Sequence, residues 1–138
     1  MNRTFSIIKP DATKRNITGS INKIIEENGL TIVGQKRIKL SKNKAEGFYF
    51  IHKEKPFFNE LVSFMISGPI LVQVLQAENA INLYRDIMGS TNPEEAEVDT
   101  IRRKFGKNIQ CNAVHGSDSL ENAKIEISFF FSTLDLIN

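Results

Sequence analysis

An α+β sandwich of the order βαββαβ is the fold class this sequence predicts, and three observations carry it. Stretches of strand-like and helix-like apolar spacing follow one another as strand, helix, strand, helices, strand, helix, strand, helix. Residues 69–75 are dense enough in Ile, Leu and Val to form a strand covered on both faces. No repeat, low-complexity tract or Pro/Gly/Ser linker divides the 138 residues, which read as one domain over 1–138. Together these fit a four-stranded antiparallel sheet with two main helices on one face, decorated by a helical hairpin and a long loop. That is the ferredoxin-like class.

Taken in order, residues 4–9 alternate Phe5 and Ile7 against Ser6 and Ile8, a strand closed at Lys9 because the residue before Pro10 is held extended. Ile17, Ile21, Ile24 and Ile25 recur at helical spacing and Gly29 supplies a stop, which predicts a helix over 17–28. Residues 30–40 return to an extended pattern, with Ile38 and Leu40 opposed to Arg37 and Lys39. Ser41 opens a short helix through Tyr49, and a second, carrying Phe57, Leu61 and Phe64, follows Pro56; the two form the hairpin. After the buried strand, Ala77, Ala80, Ile81, Tyr84, Ile87 and Met88 mark one face of a helix ended by Gly89, with Arg85 off that face. Residues 90–108 are polar, with an Asn92-Pro93 turn and a basic helix near 100–105. The last strand is expected over 111–115, and Leu120, Ala123, Ile127, Phe130 and Phe131 make an amphipathic final helix.

Composition excludes more than it assigns. Hydrophobic residues at 41% and charged residues at 25% are ordinary for a globular chain, so neither disorder nor a membrane span is expected. A net charge of +2 is too mild to argue for nucleic acid. The first residues lack an apolar signal core and the single cysteine, Cys111, has no partner for an intrachain disulfide, so a reducing cytoplasm is the expected compartment. Cys111 reads as a small strand residue.

Chemistry concentrates at residues 112–119, N-A-V-H-G-S-D-S, where one of the chain's two histidines meets a glycine, two hydroxyls and a carboxylate. Residues 116–119 should turn a strand into a helix whose free N–H groups favour an anion, so His115 faces a phosphate-sized site. Imidazole ordinarily titrates near pH ~6.5, which leaves a neutral nitrogen able to attack phosphorus or move a proton. Polar turns share this composition. Lys9, Arg85 and Arg102, from distant segments, are candidate phosphate donors, whereas Arg103, Lys104 and Lys107 read as surface charges. In K-P-F-F at 55–58 adjacent rings must point apart; Phe58 suits the core and Phe57 could offer a face to a base. Thr91 and Asn112 could donate to phosphate or sugar oxygens. A binding module without turnover is the competing reading, but the last strand lacks the paired aromatics of an RNA-reading sheet.

These residues sit in a set of ordered motifs: T-F-S-I-I-K-P-D at 4–11, G-F-Y at 47–49, K-P-F-F at 55–58, S-G-P-I at 67–70, G-S-T-N-P at 89–93, T-I-R at 100–102 and N-A-V-H-G-S-D-S at 112–119. Through them the chain resembles nucleoside diphosphate kinases over nearly its whole length. The resemblance implies ping-pong transfer of the γ-phosphoryl group of a nucleoside triphosphate, typically ATP, to a nucleoside diphosphate through a phosphohistidine at His115.

By position, the resemblance also places Lys9, Tyr49, Phe57, Arg85, Thr91, Arg102 and Asn112 in the nucleotide site. Phe57 stacks on the base, Lys9 and Asn112 contact the sugar hydroxyls, and Lys9 also meets the transferring phosphate. Arg85, Thr91 and Arg102 hold the outer phosphates, and Glu126 orients the histidine ring. The resemblance also implies that Mg²⁺ arrives with the nucleotide phosphates; no side-chain metal cluster is visible in the sequence, and His52 is isolated. Broad base tolerance is expected from the lack of edge-reading polar groups near Phe57. The chain departs from the family pattern at Asp99, where glycine is usual, at Arg103 and Lys104, which alter the loop's charge, and at Leu120, where valine is common. The implied assembly is a homo-oligomer, a hexamer rather than a tetramer. No membrane or nucleic-acid partner is expected.

Overall fold

Both interior strands of the sheet are buried on two faces, and this decides where everything else packs. The computed structural model describes residues 1–137; Asn138, the last residue of the expected domain, lies outside the described residues. Strands β1 (Asn2–Ile8), β2 (Thr31–Ile38), β3 (Ile70–Ala77) and β4 (Val114–Gly116) form one sheet in the order β2-β3-β1-β4, with every neighbouring pair antiparallel. The expected ferredoxin-like arrangement is therefore present, and the strand of residues 69–75 is interior as its composition required.

Alternation along β1 and β3 sends side chains to two cores. On one face Ile8, Leu71 and Leu75 pack with Ile21 and Ile25 of helix α2 (Thr18–Glu27) and with Tyr84, Ile87 and Met88 of helix α5 (Ala80–Met88). On the other, Phe5, Ile7, Val72 and Val74 pack with Ala45 of α3 (Lys42–Phe48), with Phe58, Val62 and Met65 of α4 (Phe58–Met65), and with Phe131. Helices α3 and α4 pack on each other as the expected hairpin. The α3 start is fixed by the Ser41 hydroxyl, which accepts from the Lys44 N–H at 3.2 Å. Among the described residues, no helix is long and apolar enough to cross a membrane.

Four local differences from the sequence reading have physical causes. Pro10 ends β1 but also begins a short helix α1 (Pro10–Lys14), since proline's fixed φ suits a first helical turn. Ala77 is the last residue of β3, not the first of α5, because it pairs with Asn2 across the sheet. Phe131 reaches the core from extended backbone just past α7 (Leu120–Phe130), while Leu120 is half exposed and lines a surface hollow with Ile127 and Leu136. Lastly, β4 begins only at Val114, so Cys111 and Asn112 are not strand residues. Ala113 takes φ +74, and the Val114 N–H donates to the Asn112 carbonyl at 2.9 Å, closing a three-residue turn that delays the extended run.

Gly116 pairs with Ser6 where α5 presses closest to the sheet. A Cβ there would lie 2.6 Å from Met88 Cε and 2.8 Å from Tyr84 Cδ2. The methionine end can move; the fully buried tyrosine ring, whose hydroxyl shares a 2.7 Å hydrogen bond with Ser6, cannot do so freely. Gly116→Ala is expected to destabilise the fold by about 1–3 kcal/mol, the cost of overpacking a filled core. Denaturant midpoints of the two proteins check this.

Candidate functional site

β4 pairs with β1 alone at the edge of the sheet, with His115 opposite Ile7, and this places the histidine beside the aromatic core. Its ring meets the rings of Phe5 and Phe48 edge-on, at centroid separations of 6.2 and 5.9 Å. One nitrogen, Nε2, lies 3.1 Å from Oε1 of Glu126, which rises from α7. The Ser117 hydroxyl donates to the same oxygen at 2.6 Å, and Ser117 is itself buried. Ser117 is a site residue that its motif contained but that no role was assigned to. The signal lay in strand periodicity: a residue two places past the histidine shares its face.

Tyr49 closes α3 beneath this group and is buried, with its ring edge against Phe48. Burial, and then the nearby charge of Glu126, push its phenol well above the usual tyrosine range. It is a neutral hydroxyl, a donor as well as an acceptor.

Next to the histidine a second group converges from three separate segments. Lys9 stands at the N-terminus of α1, and its Nζ donates to Asn112 Oδ1 at 2.8 Å. Asn112 Nδ2 in turn donates to the Thr91 carbonyl at 3.0 Å. Burial, and then the like charge of Arg102, bring the Lys9 ammonium down to about 8, against the opposing pull of Asp11 and Cys111. Arg102, on helix α6 (Ile101–Phe105), donates from Nη1 to the Gly89 carbonyl at 3.0 Å and from Nη2 to the Val114 carbonyl at 2.9 Å. Its Nε is buried without a protein partner, and burial, opposed by the Tyr84 phenol, holds the guanidinium somewhat below its ordinary value. Gly89 permits this approach: its φ is +84, and a Cβ would lie 2.5 Å from Thr100 Oγ1. Arg85 joins the edge of the group, its Nη1 donating to the Asp118 carbonyl at 3.4 Å.

Phe57 caps the start of α4, roughly half exposed, with the His52 ring 5.6 Å away. No ring contact among the described residues joins it to His115. The three departures in the long loop also find places. Asp99 adopts φ +76, a conformation that explains why glycine suits this position and that aspartate tolerates better than most residues. Lys104 pairs loosely with Asp99 at 3.9 Å, and Arg103 Nη1 donates to the carbonyls of Glu94 and Ala96, both at 3.2 Å. The two extra cations thus brace the loop and are not turned toward Lys9. Among the described residues no three His, Cys, Asp or Glu side chains cluster as a metal site would require.

A buried-edge histidine oriented by a carboxylate, with a lysine and an arginine converging beside it, can attack and neutralise a phosphoryl group. Comparison with known proteins agrees with that chemistry. Residues 2–136 match the sequence profile of the family described as nucleoside diphosphate kinase. The chain is 60% identical over 135 residues to a nucleoside diphosphate kinase of Granulibacter bethesdensis, covering 98% of this chain and 96% of that one. It is 62% identical over 136 residues to that of Hyphomonas neptunium, covering 99% and 97%. The solved structure of the Aquifex aeolicus nucleoside diphosphate kinase superposes with a TM-score of 0.94 at 44% identity, covering 99% of both chains. That of the Halobacterium salinarum enzyme, in complex with CDP, superposes with a TM-score of 0.94 at 36% identity, covering 99% and 91%.

Proposed function

The chain belongs to the nucleoside diphosphate kinase family and is a phosphotransferase of that activity; on that premise we propose that His115 carries the phosphoryl group. The observation behind this reading is the contact of its Nε2 with Glu126. A carboxylate can only accept, so it holds the ring proton on Nε2 and leaves the lone pair on Nδ1. Nδ1 is the nucleophile.

The nitrogen lone pair forms a bond to the γ-phosphorus while the bond from phosphorus to the β–γ bridging oxygen breaks. The nucleoside diphosphate leaves with that electron pair. The imidazolium so formed faces the Glu126 charge, and the Ser117 hydroxyl steadies the carboxylate. In the second half a terminal oxygen of another diphosphate attacks the same phosphorus, the P–N bond breaks, and the pair returns to Nδ1. Lys9 lies against the transferring phosphate, and Arg102, Arg85 and Thr91 hold the outer phosphates. Asn112 with Lys9 takes the sugar hydroxyls, and Tyr49 donates from its neutral phenol. Such a reaction asks the protein for position and charge more than for further covalent groups.

Mg²⁺ belongs to the nucleotide in this reading: a hard cation takes phosphate oxygens and water. When bound it neutralises phosphate charge. The whole chain acts as one catalytic domain, in the reducing cytoplasm that its single cysteine favours, and as a homo-oligomer, hexameric rather than tetrameric, by resemblance to the family. Sedimentation of the purified protein tests the assembly.

Phe57 supplies a stacking face for the base. Phe57→Ala is expected to weaken purine and pyrimidine nucleotides alike by about 1–3 kcal/mol, measured by calorimetry; a loss confined to purines would refute a face-only contact. The reaction itself is tested with γ-labelled ATP and Mg²⁺. Acid-labile, base-stable label should form on the protein and move to added GDP. A protein that binds nucleotide yet yields neither phosphoenzyme nor GTP would overturn the proposal.

A further inference from the structure

Asp11 closes the K-P-D segment of residues 9–11. Its Oδ2 accepts the Ala113 N–H at 3.1 Å, while the Ala113 carbonyl accepts the Lys9 N–H at 2.9 Å. These two bonds bracket a turn whose central residue, Ala113, is fully buried at φ +74. A non-glycine residue does not keep that conformation unless its surroundings impose it. The turn carries Asn112 on one side and leads to His115 on the other. Asp11 also offers the Lys9 ammonium an opposite charge from the first turn of the helix that Lys9 caps, and its Oδ1 is buried with no protein partner.

We propose that Asp11 is a positioning residue for phosphoryl transfer: its carboxylate clamps the turn that presents Asn112 to Lys9, and its negative charge complements the Lys9 cation. The inference rests on the reading of Lys9 and Asn112 as nucleotide contacts. Around Lys9 the groups oppose one another. Burial and Arg102 lower its affinity for a proton, and Asp11 and Cys111 raise it. On the Asp11 side, burial raises the carboxyl, while the Ala113 N–H, the Lys9 charge, its own backbone N–H and Arg15 pull it down. Lys9 is a cation below about 8, so transfer that needs the cation declines as pH rises through that value. Removing the Asp11 charge moves the decline to lower pH.

The two parts of the role separate in two variants. Asp11→Asn keeps an oxygen for the Ala113 N–H, removes the charge and sets an amide NH2 in the buried place of Oδ1. Its KM for ATP should stay near the parent value, while the alkaline limb of kcat/KM moves down by about half a pH unit or more. Asp11→Ala loses both, and its KM should also rise on the order of fivefold, the scale of one lost buried hydrogen bond. A merely structural role would lower the thermal midpoint and move neither the limb nor KM. An unmoved limb in Asp11→Asn overturns the charge role, even if Asp11→Ala fails to fold, and a parental KM in Asp11→Ala overturns the clamp. Asn112→Ala separates the levels: if it raises KM while Asp11→Ala does not, only the positioning role fails. If neither raises KM, the reading of the Lys9–Asn112 pair fails with it.

Discussion

Replacing His115 with alanine is expected to abolish phosphoryl transfer, with a loss on the order of 10⁶-fold, the scale seen when the nucleophile of a covalent mechanism is removed. The fold should survive. Glu126 keeps the Ser117 hydroxyl as a donor, and the aromatic wall of Phe5, Phe48 and Phe130 packs on itself, Phe5 stacking on Phe130 at 5.4 Å. Lys9, Asn112 and Arg102 are untouched, so nucleotide affinity should remain near that of the parent protein. Calorimetric titration with ADP, together with the labelled-ATP assay, separates the two quantities. Retained turnover in the alanine variant would sink His115 as the phosphoryl carrier.

Arg102→Ala should have the second largest effect, because it removes a cation and a brace together. The Gly89 and Val114 carbonyls both lose their donor, and an unsatisfied buried acceptor costs about 1–3 kcal/mol. Loss of a positive charge at the proposed phosphate site should lower kcat/KM by about 10²–10³, the scale of one preorganised donor. Arg102→Lys is expected to recover little of either, since an ammonium on a flexible stem cannot reproduce a planar fork bonded to two fixed carbonyls. Steady-state kinetics and thermal denaturation of both variants provide the check. A lysine variant with parental rates and midpoint would show that charge alone matters here.

Much of this arrangement was legible in the sequence, for reasons that particular residues make plain. Residues 69–75 are apolar at nearly every position, and only a strand covered twice has use for that. Ser41, Thr100 and Ser119 stand at helix starts, where each side chain accepts a backbone N–H. What escaped was set by distant contacts. Nothing local marks Ala113 for a positive φ, since an alanine between an asparagine and a valine suits an extended strand; its N–H is held by Asp11, about a hundred residues earlier. The roles of Arg103 and Lys104 were equally hidden. Their charge is evident in the sequence, but its direction depends on where the Glu94 and Ala96 carbonyls fall. Of the candidate site residues, Tyr49 and Glu126 were reached only through resemblance, because a tyrosine or a glutamate on a helix has no distinguishing pattern of its own.

The pairing of β4 with β1 has a mechanical consequence. Ile7 is His115's partner across the strands, and Lys9 follows two residues later on the same chain segment. His115, on the edge strand, and Lys9, just past the end of the interior strand that it pairs with, are thus tied to the same strand. A bend or twist of the sheet carries both in the same sense and leaves the gap between them nearly unchanged, whereas two groups on independent loops would drift apart. Heat should therefore erode activity late, in step with loss of the sheet itself, so that the inactivation and unfolding curves superimpose.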